Sequence, residues 1–122
     1  MRSSNITDPA PLLPFAVPLG DPAGIGPEIC AKSWVMREAR SLPPFFAVGD
    51  AASLRAVWLG PVERISAPEE ASAIFGRALP CLQVADAGDI IPGKPDVEGA
   101  RAAFQALEVA VGLARSGSAA GV

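Results

Sequence analysis

A chain of 122 residues, 50% hydrophobic and 19% charged, has the composition of one globular domain and the length to bury a core. Its net charge of −3 comes with no run of Lys or Arg, which excludes the clustered positive charge that a nucleic-acid groove requires. No apolar stretch has the length needed to cross a bilayer, so a membrane role is not expected.

The first fourteen residues, MRSSNITDPAPLLP, hold one Arg and three Pro and lack the apolar core of a secretory signal. Residues 1–14 read as a flexible lead-in to a domain at 15–122. Cys30 and Cys81 match no metal spacing. Without an export signal they read as reduced, packed thiols of a cytoplasmic protein.

Residues 15–19 (FAVPL) have the length and apolarity of a short strand. Pro18 cannot donate to a ladder and places the end of that strand near the rim of a sheet. A breaker-rich turn, GDPAGIG at 20–26, follows. Pro27 suits the first turn of a helix, Glu28 complements the positive end of the helix dipole, and the helix is expected to run to about Arg40. Residues 45–48 (FFAV) form a second strand. Asp50 then caps a short helix carrying Leu54, Val57 and Trp58, with Gly60 as its left-handed stop. Residues 62–65 are a third strand. Ser66-Ala67-Pro68-Glu69 reads as a capping box that opens a helix over 69–75, with Glu69 and Glu70 solvated. Residues 79–84 (LPCLQV) make a fourth strand, weakened by Pro80, and 87–95 an irregular loop.

The clearest element is a helix over 97–115. Ala100, Ala103, Phe104, Leu107, Ala110, Val111 and Ala114 fall on its apolar stripe, opposite Arg101, Gln105 and Glu108. Arg115 and Gly117 mark its end, and residues 118–122 approach a further strand. Strands alternating with helices predict an α/β class: a partial, mostly parallel sheet with flanking helices.

One motif carries chemistry. GDPAGIGPE at 20–28 joins a strand to a helix through glycines. Gly24 and Gly26 are expected to supply positive φ and to let a ligand approach without a Cβ in the way. The free N–H groups of the helix that follows offer a seat for an anion. The bland alternative is that a tight strand–helix turn needs glycines in any case. The pattern is not a P-loop, since no Lys-Ser or Lys-Thr follows the glycines and Lys32-Ser33 lies inside the helix. Nor is it a complete G-x-G-x-x-G, because position 29 is Ile, although Asp50 stands where a ribose-binding acid would.

GDPAGIGPE resembles the amino-terminal signature of the 4-hydroxythreonine-4-phosphate dehydrogenase family of vitamin B6 (pyridoxine 5′-phosphate) biosynthesis. It resembles, more distantly, the G-D-G-I-G-P-E turn of isocitrate and isopropylmalate dehydrogenases, which share that family's fold. Pro92-Gly93-Lys94-Pro95, Gly99-Ala100-Arg101-Ala102-Ala103 and the helix through Leu113 resemble the family's pattern before its first substrate-binding strand. Residues 117–122 resemble the approach to that strand, so the resemblance covers 15–122.

The resemblance implies the amino-terminal part of an isocitrate/isopropylmalate dehydrogenase-like fold, truncated before its catalytic residues. The implied activity is NAD-dependent oxidation of a secondary alcohol on a phosphorylated substrate, followed by loss of carbon dioxide. A sister enzyme of threonate or erythronate 4-phosphate fits the same signature. The family implies a divalent metal held by three histidines drawn from both subunits of a homodimer, which polarises the alcohol. This chain has no His, so neither metal ligands nor catalytic residues carry over, and the chain alone is expected to be inactive. Asp21, Gly24, Ile25 and Gly26 carry over as the NAD-side wall, with capping the helix or fixing the turn as the alternative for Asp21 and the favoured reading for Glu28. The proline in Val17-Pro18-Leu19 departs from the plain strand expected before this turn.

Other residues have plainer readings. Asp86 and Asp89 beside Gly88 fit turn positions better than a metal pair. Without a His partner, neither Cys81 nor Ser3, Ser33 or Ser41 is a nucleophile. Trp34 and Trp58 read as core. Two readings from other classes remain at this stage: a stand-alone module holding a nucleotide or phosphate at the glycine turn, and a non-functional remnant.

Overall fold

The computed structural model describes residues 13–84 and 93–122. Four strands, β1 (Phe15–Pro18), β2 (Phe45–Gly49), β3 (Val62–Ile65) and β4 (Leu79–Gln83), form one parallel sheet in the order β1-β2-β4-β3. Between them run α1 (Gly26–Val35), α2 (Ala51–Val57) and a 3₁₀ turn (Pro68–Glu70) that leads into α3 (Ala71–Ile74); α4 (Val97–Arg115) follows β4. The expected α/β class and parallel sheet are what the chain forms.

Every residue of β2 is buried, which accounts for its unbroken apolar run. Alternation along the strand sends Phe45 and Ala47 into one core with Cys30, Trp34, Leu54, Leu79 and Cys81. Phe46 and Val48 enter the other core with Ala16, Ile65, Ile74, Ala106 and Ala110. So α1 and α2 cover one face of the sheet, α3 and α4 the other. Connections stepping outward from β1 use the first face and those stepping back use the second, as right-handed crossovers require.

Both strand prolines sit where no ladder bond is lost. Phe15 and Leu19 donate toward β2, to the carbonyls of Pro44 and Val48, while Ala16 donates outward to Gly121. By alternation, Pro18 points its nitrogen at the outer edge. Pro80 precedes the first β2–β4 pair, Ala47 with Cys81, and Leu79 donates to Pro61 on the β3 side. Pro80 therefore faces a stretch where pairing with β2 has not begun, and it is tolerated although buried. Outside β1, Ala120 donates to Pro14 at 2.8 Å and Gly121 accepts from Ala16 at 2.9 Å. The segment at 120–121 thus runs beside the sheet edge in the direction of β1, where a further strand was expected.

Four local expectations need correction. The first helix stops at Val35, not near Arg40. Arg37 lies over the Trp34 ring at 3.6 Å and donates to the carbonyls of Trp34 and Gly76, drawing off the end of the helix. Gly60 is not in the left-handed region. The second helix ends because Trp58 turns extended (φ −151°, ψ 133°) and packs edge-on to Trp34 at 5.6 Å. The cap at 66–70 is made by Glu70, whose Oε2 accepts from Ser66 and Ala67, and it opens a 3₁₀ turn at Pro68 rather than a helix at Glu69.

The fourth correction concerns α4. Its sheet-facing residues are Gly99, Ala102, Ala106 and Ala110, with Val109 and Leu113 packed against the same core. Phe104, Leu107 and Val111 are exposed by 60, 46 and 39%. Only Ala110 of the expected stripe is fully buried; Ala103 and Ala114 are half-buried and Ala100 is exposed. Small side chains let the helix lie close on β1 and β2, and that closeness displaces the bulkier residues outward.

Candidate functional site

At the carboxyl end of β1 the chain turns within a few residues. Gly20 takes φ +74°, the left-handed conformation that favours glycine. Asp21 then folds the turn on itself: its Oδ1 accepts from Ala23 at 2.9 Å, and its carbonyl accepts from Gly24 at 2.9 Å. Neither Gly24 nor Gly26 has positive φ, contrary to the expectation. Gly26 serves a close approach instead. A Cβ there would lie 1.9 Å from the Leu19 carbonyl oxygen, so only glycine lets α1 start directly over the end of β1.

Asp21, Gly24, Ile25 and Gly26 thus meet in one turn at the amino end of α1. Gly24 and Ile25 are exposed, Ile25 by 73%, whereas Pro22 and Ala23 are buried. No side chain caps α1; Pro27 lies in its first turn and Glu28 adds the acidic charge expected there. The start of α4 packs on the same turn. Gly93 donates to the Ala23 carbonyl at 2.8 Å, and Asp96 caps α4 by accepting from Gly99 at 2.7 Å. A Cβ on Gly99 would meet Asp21 Oδ1 at 2.8 Å. Beside the turn, Phe15, Val17, Ile29, Ser33 and Phe45 line an apolar groove of about 460 Å³. The Ser33 hydroxyl there is committed to the Ile29 carbonyl.

A second, polar crevice opens at the carboxyl ends of β2 and β4, with a volume of about 320 Å³. Asp50, Ala51, Ala52, Arg55, Arg64, Gln83 and Val84 line it. Asp50, which caps α2 as expected, accepts at Oδ1 from Ala52 and from Gln83 Nε2, and Gln83 Oε1 accepts from Ala51. The sequence reading singled out Asp50 but missed Arg55, Arg64 and Gln83. Their convergence depends on the strand order β2-β4-β3, which no local pattern encodes.

The remaining candidates bring no chemistry together. Cys30 and Cys81 are free and buried. Burial pushes both thiols up to about 12; Cys81 adds to the rise at Cys30, and at Cys81 Asp50 adds to it while Arg55 and Arg64 oppose it. Trp34 and Trp58 pack on each other, and Trp34 Nε1 donates to the buried Phe75 carbonyl. Asp86, Asp89 and Ser3 lie outside the described residues. The histidine-bound metal implied by the resemblance finds no imidazole in this chain. Among the described residues no three of His, Cys, Asp and Glu converge. No helix among them is long and apolar enough to cross a membrane.

No protein-family model matches the chain. It is 51% identical over 106 residues to a 4-hydroxythreonine-4-phosphate dehydrogenase of Zymomonas mobilis, covering 87% of the chain and 32% of that protein. The enzyme of the same name from Erythrobacter litoralis is 45% identical over 117 residues, covering 92% and 34%. Among solved structures, a 4-hydroxythreonine-4-phosphate dehydrogenase from Burkholderia phymatum superposes with a TM-score of 0.78 at 26% identity, over 88% of the chain and 34% of that structure. A terephthalate 1,2-cis-dihydrodiol dehydrogenase from Burkholderia xenovorans shares the fold, with a TM-score of 0.67 at 23% identity over 88% and 32%. The chain spans about a third of the length of the curated relatives it matches. Within that span, both sequence and backbone are similar to 4-hydroxythreonine-4-phosphate dehydrogenases.

Proposed function

We propose that this chain supplies the cofactor-side turn of an NAD-dependent oxidoreductase that oxidises and decarboxylates 4-hydroxythreonine 4-phosphate, in the route to pyridoxine 5′-phosphate. The observation that carries the reading is the exposed Gly24-Ile25 step at the uncapped amino end of α1, on the carboxyl end of a parallel strand. Dinucleotides bind open α/β sheets at strand carboxyl ends, and helix amino termini favour anionic groups. The substrate is suggested by the shared name of relatives at 51% and 45% identity.

The chemistry a bound NAD would supply is acceptance of a hydride from the alcohol carbon. The residues of this chain bind and orient. The first-turn amides of α1 favour an anionic group of the cofactor, Ile25 offers it an apolar surface, and Asp21 holds the turn rigid through Ala23. The divalent metal of the family does not fit the donors present, because its histidines are not among these residues; no step is assigned to it here. A homodimer and a cytoplasmic location belong to the same proposal.

The test is a titration of the isotopically labelled 122-residue chain with NAD. Saturable shifts are expected at the amides of Gly24, Ile25 and Gly26. An unperturbed turn at saturating NAD counts against the cofactor role. With substrate and divalent metal added, no NADH is expected, and measurable NADH would overturn the assignment of catalysis to residues outside this chain.

A further inference from the structure

We propose that the polar crevice at the ends of β2 and β4 is a second ligand site, distinct from the glycine turn, which binds the phosphate of a sugar phosphate between Arg55 and Arg64. Three observations converge on it. The first is topological. After β2 the chain passes to α2 on one face of the sheet, and after β4 it passes to α4 on the other. Neighbouring strands whose connections part in this way leave a crevice at their carboxyl ends, where open α/β sheets bind ligands.

The second is the state of the donors. Asp50 is 6% exposed, and its Oδ1 is engaged by Ala52 and Gln83, while Gln83 Oε1 takes the Ala51 amide. The backbone donors of the crevice are therefore occupied, and the floor is a fixed carboxylate–carboxamide pair. The guanidinium groups are free by comparison. Arg55 makes one long hydrogen bond, 3.4 Å to the Val62 carbonyl. Among the described residues the Arg64 guanidinium has neither a hydrogen bond nor an ion pair. Guanidinium forks match phosphate oxygens bidentately.

The third is the proximity of the charges. Asp50, Arg55 and Arg64 line the same crevice, and all three act on the buried Cys81 thiol, Asp50 raising it and the two arginines lowering it. Among the described residues that line it, two positive charges stand against one negative. The carboxylate–carboxamide floor would repel a second anionic group but can meet a hydroxyl. A phosphate carried on a hydroxyl-bearing sugar satisfies both parts, and a volume of about 320 Å³ admits a ligand of that size.

The experiment titrates the labelled chain with ribose 5-phosphate and, separately, with inorganic phosphate, comparing wild type with Arg64→Gln. Arg101→Gln on α4, whose guanidinium pairs with Glu98, serves as the control. Saturable shifts are expected at the Ala51 and Ala52 amides and the Arg55 and Arg64 side-chain resonances. Arg64→Gln should weaken binding about tenfold or more, the cost of one charge-assisted contact, and Arg101→Gln should leave it unchanged. Arg64 is exposed, so an unchanged melting temperature will show that the variant folds. Equal affinity in wild type and Arg64→Gln, or shifts that never saturate, would overturn the site. Tighter binding of inorganic phosphate than of ribose 5-phosphate would overturn the hydroxyl-meeting floor. NAD binding at the glycine turn is a separate readout, so either proposal can fail alone.

Discussion

Gly26 sits where the chain leaves β1 and enters α1, with the Leu19 carbonyl oxygen 1.9 Å from the place a Cβ would occupy. The clash is with backbone on both sides, so no rotamer change relieves it. Gly26→Ala is expected to destabilise the chain by about 3 kcal/mol, as overpacking against a fixed neighbour does. Gly24→Ala is a milder change. Its Cβ would meet the Asp21 carbonyl oxygen at 3.3 Å in a backbone conformation open to any residue, and about 1 kcal/mol or less is expected. Denaturant midpoints of the two variants decide the point, and comparable losses would show that close approach is not what Gly26 provides. The glycine cluster was visible in the sequence, but the work of each glycine was not. Positive φ falls on Gly20, and the tight fit on Gly26, because the crossing of strand and helix sets both.

At the scale of the element, α4 separates hydrophobicity from burial. Its sheet-facing side is Gly99, Ala102, Ala106 and Ala110, and its outer side bears Phe104, Leu107 and Val111. Ala106→Leu is expected to cost about 1–3 kcal/mol, because one side-chain heavy atom becomes four at a position only 1% exposed in the core. Leu107→Gln should change stability by no more than about 0.5 kcal/mol, as an exposed position does. Thermal melts that ranked the two in the reverse order would refute this orientation of the helix. The boundaries of α4 were legible because Asp96, Arg115 and Gly117 punctuate it, whereas its phase was not. Both flanks are apolar, and periodicity alone favours the larger residues over the small ones that permit close packing. The capped start of α2 was readable at Asp50 for the same local reason. The stop of α1 was not, since it depends on Arg37 reaching the Gly76 carbonyl, far off in sequence.

Across the whole molecule, the sheet order joins what the sequence keeps apart. Cys30 on α1 and Cys81 on β4 share the core on the α1–α2 face, where both thiols are free and buried. Desolvation is the main cause that raises each from the ordinary value of 9.0 to about 12. The sign follows from proton counts. Below pH 9 both thiols are protonated, folded or unfolded, and their contribution to stability is complete. Between about 9 and about 12 the unfolded chain releases these protons while the folded chain keeps them, so rising pH favours unfolding. The slope is at most about 1.4 kcal/mol per pH unit for each thiol. Other groups titrate in the same range, so the informative comparison is with the Cys30→Ala, Cys81→Ala double variant. Its unfolding free energy should fall less steeply above pH 9 than that of the wild type, although it is the less stable of the two at neutral pH. Parallel curves for the two proteins would mean that water reaches one or both thiols, and that this side of the sheet is more open than its packing indicates.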